Sequence, residues 1–194
     1  METGTLVPEV AVGAGCVPAE FIGSPVPLVL DLGCGNGSFL AALAAREPGA
    51  NIVGVERKAY RVRQASRRAA ALPNAAVVAG EADEVLRTLP AASVARAYLL
   101  FSDPWPKRRH ASRRLVQTEF LALLASRLVP GGEFFFASDA RDYCRAAGRL
   151  LAECGWTVGD WTVGPDWPRT EFEQRFLARG LPVWRLRAAR PAMP

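Results

Sequence analysis

From residue 28 onward, short apolar runs rich in β-formers alternate with stretches whose apolar residues recur at helical spacing, and this alternation constrains the fold more than any other feature. Runs 28–32, 51–55, 75–79, 96–101 and 133–137 read as strands, and 38–46, 59–71, 82–89, 117–128 and 141–154 read as helices. Two closing runs, 156–161 and 183–187, bring the strands to seven. Strands linked through helices lie parallel with right-handed crossovers, so an α/β fold is expected, with a mostly parallel seven-stranded sheet flanked by helices. Residues 164–168 carry loop signals, and 170–179 read as a helix or a long ordered loop. Residues 1–27, rich in Val, Gly and Pro and poor in charge, show no periodicity and form a poorly specified lead-in to a domain at 28–194.

A chain of 194 residues holds one such domain with a full core. Its 24 Lys and Arg against 19 Asp and Glu leave a net charge of +5, which suits a polyanionic partner. Cys16, Cys34, Cys144 and Cys154 form no C-x-x-C pair and His110 is the only histidine, so no metal site is expected. The cysteines read as reduced thiols, with Cys34 packed in a loop. No apolar run approaches the roughly 20 residues that span a bilayer, and residues 1–15 lack the basic start of a signal peptide, so a cytoplasmic location is expected.

Chemistry first appears where the first strand turns into the first helix, in the sequence Leu30-Asp31-Leu32-Gly33-Cys34-Gly35-Asn36-Gly37-Ser38. Glycines there let the backbone approach a ligand closely. A dinucleotide fingerprint asks for G-x-G-x-x-G, but here the third glycine falls one residue early, at Gly37. Asp31 would repel a pyrophosphate, whereas it suits a cationic cofactor such as S-adenosylmethionine. Glu56 closes the second strand, where a carboxylate can accept both ribose hydroxyls, and Glu81 follows the third strand, near an adenine. An ordinary tight strand–helix turn explains the glycines alone, but not the acids in register with them.

The segment Phe101-Ser102-Asp103-Pro104-Trp105-Pro106-Lys107-Arg108-Arg109-His110 lies just beyond the carboxyl end of the fourth strand, the edge where open α/β sheets bind ligands. An acid, two prolines and an aromatic make a stiff wall, and the cations from Lys107 to Arg114 make a phosphate-grade patch. A solvated charged loop with Trp105 plugging the core is the plainer alternative. In the ordered run from Asp103 to His110, with Arg113 and Arg114 after it, the chain resembles the bacterial tRNA (guanine-N7)-methyltransferase family. A second signature, Thr170-Glu171-Phe172-Glu173 followed by 180–184, resembles the same family, and the likeness runs from about residue 28 to 187. Ser138 stands where the family often has Thr before Asp139, and the segment before Leu28 does not resemble the family's usual lead-in.

The resemblance implies a Rossmann-like class I methyltransferase that uses S-adenosylmethionine, acts on tRNA and works as a monomer or homodimer. Carried over by matching positions, Asp31, Gly33, Gly35, Glu56, Glu81 and Asp103 would contact the cofactor, with Asp103 also at the catalytic centre. Lys107, Asp139, Thr170, Glu171, Phe172 and Glu173 would hold the substrate, and Arg108, Arg109, Arg113 and Arg114 would touch RNA. Simpler readings stand beside these. Thr170 and Glu173 also form a capping box, Asp139 can cap the helix at 141–154, and Arg61, Arg63, Arg67 and Arg68 read mostly as a solvated helix face. Guanine N7 carries no proton, so Asp103 is expected to anchor the base edge rather than act as a strong general base. Alternatives are a methyltransferase of this fold acting on another RNA or a small molecule, and a non-catalytic RNA-binding subunit. The latter would be expected to lose the acids at 31, 56 and 103. A NAD-dependent oxidoreductase fits least.

Overall fold

The structure, a computed structural model, describes residues 16–105 and 108–191. Strands β1 (Leu28–Leu32), β2 (Asn51–Glu56), β3 (Ala75–Ala79), β4 (Val94–Leu100) and β5 (Leu128–Ser138) alternate with helices α1 (Ser38–Arg46), α2 (Ala59–Ala69), α3 (Ala82–Thr88), α4 (Thr118–Arg127) and α5 (Arg141–Glu153). β6 (Thr157–Gly159), α6 (Glu171–Leu177) and β7 (Trp184–Ala189) complete the chain. The sheet order is β3-β2-β1-β4-β5-β7-β6. All pairs from β3 to β5 are parallel, and β7 runs antiparallel to both β5 and β6. The expected seven-stranded, mostly parallel sheet is therefore the observed one.

β1 and β2 are buried along their whole length, which is why both read as continuous apolar runs rather than alternating ones. Helices cover both faces and make two core clusters. One includes Leu30, Leu99, Phe134 and Phe136, and the other Val29, Ile52, Tyr98 and Phe135. The strand order reverses beside β1, with β2 on one side and β4 on the other. A crevice opens at such a switch point, outside the carboxyl ends of the strands.

The differences from sequence expectation have local causes. β5 starts at Leu128 rather than 133, because Val94 pairs with Leu128 across a register shift before the regular ladder begins at Arg96 and Glu133. The run at 156–161 shortens to three exposed residues, and Trp161 leaves the strand to pack edge-on against Phe135. The segment at 170–179 resolves into a helix of 7 residues. Val17 and Phe21 are buried in the larger core cluster, so the described part of the lead-in packs against the sheet domain. Aperiodic sequence hid that role.

Candidate active site

Residues from the ends of β1, β2, β3 and β4, together with the start of α6, line a cleft of about 930 Å³. Gly33 and Gly35 have positive φ, and a Cβ built on either would meet no atom within 4 Å, so the loop presents bare backbone to open space. At Gly37, also at positive φ, a Cβ would lie 2.7 Å from the Ala65 Cα, so the loop can seat against α2 only with glycine there. Glu56, buried at the end of β2, accepts a hydrogen bond from the Gly35 N–H at 3.1 Å and another from the Lys58 N–H at 2.9 Å. Its carboxylate pins the loop, yet each oxygen keeps lone-pair capacity on the cleft wall. Glu81, at the β3 end of the cleft, pairs with Arg57 at 3.2 Å and is half exposed.

Asp31 sits under the loop, 2% exposed and behind the residues that line the cleft rather than among them. Its Oδ2 is buried without a hydrogen-bond partner. Burial, and then the neighbouring Glu56 charge, push its carboxyl up to about 7. A buried acid with an unused acceptor is a poor neighbour for a phosphate and a good one for a cation, so these residues fit the charge of S-adenosylmethionine. Cys34 lies in the same loop, and burial, then the charges of Asp31 and Glu56, raise its thiol well above the ordinary range. Its sulfur packs against Gly54, where a Cβ would lie 2.7 Å away, and a thiol raised in this way is a weak nucleophile.

Asp103 occupies the opposite wall, exposed to the cleft. Two non-glycine residues at positive φ bracket it, Phe101 at 56° and Trp105 at 42°. Such conformations cost on the order of 1 kcal/mol each and persist where the surroundings impose them. Arg114 does so here: Nε donates to the Pro104 carbonyl at 2.7 Å, Nη2 to the Trp105 carbonyl at 3.3 Å, and the guanidinium lies over the Tyr143 ring at 4.9 Å. Arg114, expected to touch RNA, is thus turned inward as a clamp on the acidic loop. Arg113 stacks over Trp105 at 5.1 Å at the cleft mouth, and Arg109 is exposed on the 3-10 turn Arg108–Arg113. Lys107 lies outside the described residues, and of Arg108 only the backbone is described.

Thr170, Glu171 and Phe172 reach the cleft from α6. Thr170 Oγ1 accepts the Glu173 N–H at 3.0 Å, so the capping interaction is present. Glu173 does not join them, since it is buried and ion-paired with Arg185 and, at 3.3 Å, with Arg169. Asp139 follows the end of β5, half-buried and away from the cleft lining. It does not cap α5, whose N-cap is Ala140 without a side-chain bond; Ser138 Oγ instead accepts the Ala140 N–H at 3.1 Å. Sequence reasoning missed Tyr60 and Gln64, which line the cleft from α2. Helical spacing alone marks them only as surface positions.

A family model described as "Putative methyltransferase" matches residues 25–186. A tRNA (guanine-N(7)-)-methyltransferase of Roseobacter denitrificans is 40% identical over 172 residues, covering 84% of this chain and 73% of that protein. Its counterpart in Sphingopyxis alaskensis is 37% identical over 200 residues, covering 94% and 84%. The chain belongs to the tRNA (guanine-N(7)-)-methyltransferase family. Solved structures at lower identity carry the same fold. A 16S rRNA methyltransferase, KamB, superposes with a TM-score of 0.70 at 21% identity over 90% of this chain and 92% of its own. A variant 16S rRNA (adenine(1408)-N(1))-methyltransferase of Catenulisporales acidiphilia, solved with its cosubstrate SAM, gives 0.61 at 21% identity over 90% of each chain. The fold is that of S-adenosylmethionine-dependent methyltransferases, and the cleft of this family member lies at its switch point.

Proposed function

We propose that this chain transfers a methyl group from S-adenosylmethionine to N7 of a guanine in tRNA, acting in the cytoplasm as a monomer or homodimer. Membership of the family carries the reading, and the unpartnered buried Asp31 oxygen beneath a bare glycine loop is the observation of this structure that supports the cofactor's charge. S-adenosylmethionine supplies an activated methyl on a sulfonium. Asp31, Glu56 and Glu81 would hold it, with the Gly33 and Gly35 backbone giving close approach. Asp103 would accept hydrogen bonds from the guanine N1–H and amino group and offset the positive charge that develops on the ring. Adenine presents a different donor pattern and leaves that carboxylate poorly paired, which gives selectivity. N7 holds a lone pair and no proton, so the chain's task is to orient the base and exclude water rather than remove a proton.

Thr170 and Phe172 would hold the substrate from the α6 side, and Arg109 and Arg113 would contact RNA phosphates. No helix among the described residues is long and apolar enough to cross a membrane. The test is incubation with labelled S-adenosylmethionine and unmodified tRNA, followed by digestion to nucleosides. Label in 7-methylguanosine is the expected result; label in another nucleoside, or none, refutes the reading.

A further inference from the structure

We propose that Arg68 is a positioning residue that couples occupancy of the glycine loop to the placement of α6, the helix whose first turn forms the far wall of the cleft. The proposal rests on the reading of the cleft as a joint cofactor and tRNA site. Arg68 belongs to α2 and lines neither the loop nor α6, yet it holds both. Nη1 donates to the Asn36 carbonyl at 2.7 Å, inside the loop, and Nη2 donates to Glu171 Oε1 at 2.6 Å, in the first turn of α6. A second tie runs beside it: the Glu171 N–H donates to Ser38 Oγ at 3.0 Å, and Ser38 is the residue that follows the glycines. The loop is in turn seated on α2, where Gly37 meets Ala65 with no room for a side chain. Loop, α2 and α6 therefore meet at one guanidinium and one hydroxyl.

The chemistry favours arginine at this point. A flat fork holds its N–H groups in fixed directions on two edges and so sets the carbonyl and the carboxylate in one geometry, while the ammonium of lysine donates from a single rotatable point and fixes no such angle. The ion pair is partly exposed, with side chains 40% and 35% accessible. An exposed pair adds little to global stability, so what Arg68 fixes is geometry. The loop is the element proposed to meet the cofactor, and Thr170 and Phe172 stand at the start of the helix that Arg68 tethers to it. Ordering the loop then orders α6, and by linkage a substrate that orders α6 tightens the cofactor site.

The test is hydrogen exchange of the full chain with and without S-adenosylhomocysteine, read on backbone amides 33–38 and 170–177. The parent is compared with Arg68→Ala, Arg68→Lys and, as a charge control, Arg67→Ala on the exposed face of α2. In the parent and Arg67→Ala, the ligand should slow exchange at both segments, at α6 by about fivefold or more. In both Arg68 variants the loop should remain protected, while the slowing at α6 falls to less than about half of the parent's, the Ser38 tie carrying what is left. The lysine variant keeps the charge and stem, so it separates lost bridging from lost folding. Equal protection of α6 in parent and Arg68 variants overturns the coupling. A parent whose loop is protected and whose α6 is not also overturns it, whereas a parent whose loop gains no protection overturns the cofactor reading as well. Failure to methylate tRNA would refute the proposed function and leave the exchange result readable.

Discussion

On the wall proposed for the cofactor, the acids are sunk into the sheet: Asp31 and Glu56 are buried, and Glu56 spends hydrogen bonds on the loop it supports. On the wall proposed for the base, Asp103 is exposed on a loop with two residues at positive φ, held by Arg114 rather than by the sheet. Both walls present carboxylates, but they reach them by different means. A buried acid resists ionisation and responds to the charge of its ligand, while an exposed acid on a braced loop is set by geometry. On this protein pH should therefore act through cofactor binding, and loop geometry through the chemical step.

The largest expected effect comes from Asp103→Asn, which keeps size but faces the guanine N1–H or amino group with a donor. Single-turnover methylation should fall about 10²- to 10³-fold, while S-adenosylhomocysteine binding by calorimetry changes by less than about threefold. A parent-like rate would remove Asp103 from the reaction wall.

Asp31→Asn probes the buried acid. Because the folded-state carboxyl is raised to about 7, its contribution to stability is fully present below the ordinary carboxylate range and is lost as pH rises through about 7. At pH 8 the unliganded Asn variant should therefore be more stable than the parent by an amount on the order of a few kcal/mol, a gap that closes toward acid pH. Denaturant melts across that range check it, and a constant gap would show that Asp31 is ionised throughout.

Arg113 and Arg114 are neighbours in sequence with different expected roles. Arg113→Ala should lower the salt dependence of tRNA binding by about one unit in the log–log slope. Arg114→Ala should leave that slope alone and slow single-turnover methylation, since it releases the Pro104 and Trp105 carbonyls. Equal slope losses in both variants would put Arg114 back on the phosphate surface. The smallest effect is Thr170→Ala, which removes the bond to the Glu173 N–H and should cost about 1 kcal/mol of stability in thermal unfolding.

The parallel core was legible because strands buried on both faces announce themselves as apolar runs, as β1 and β2 do. The glycine loop and Asp103 could be placed from the sequence because each follows a strand's carboxyl end, the edge where the cleft opens. Side-chain direction was not. Arg113 and Arg114 look alike in a basic run, and only the fold turns one over Trp105 and the other into the loop. Glu173 looks like a partner of Glu171, yet helical geometry buries it against Arg185 while Glu171 faces the cleft. Arg68 reads as one of several cations on α2 until the loop and α6 arrive beside it.

The pH profile of single-turnover methylation from about pH 6 to 9, measured once with saturating S-adenosylmethionine and once with a limiting concentration, separates cofactor capture from the chemical step. With limiting cofactor the rate should rise through about pH 7 as Asp31 ionises, by up to about tenfold between pH 6 and 8. With saturating cofactor and tRNA it should be flat, because N7 has no proton to lose and no group on the reaction wall needs to change charge. A saturated rate that climbs through a resolved ionisation would instead place a general base on the reaction wall, and positioning alone would not suffice.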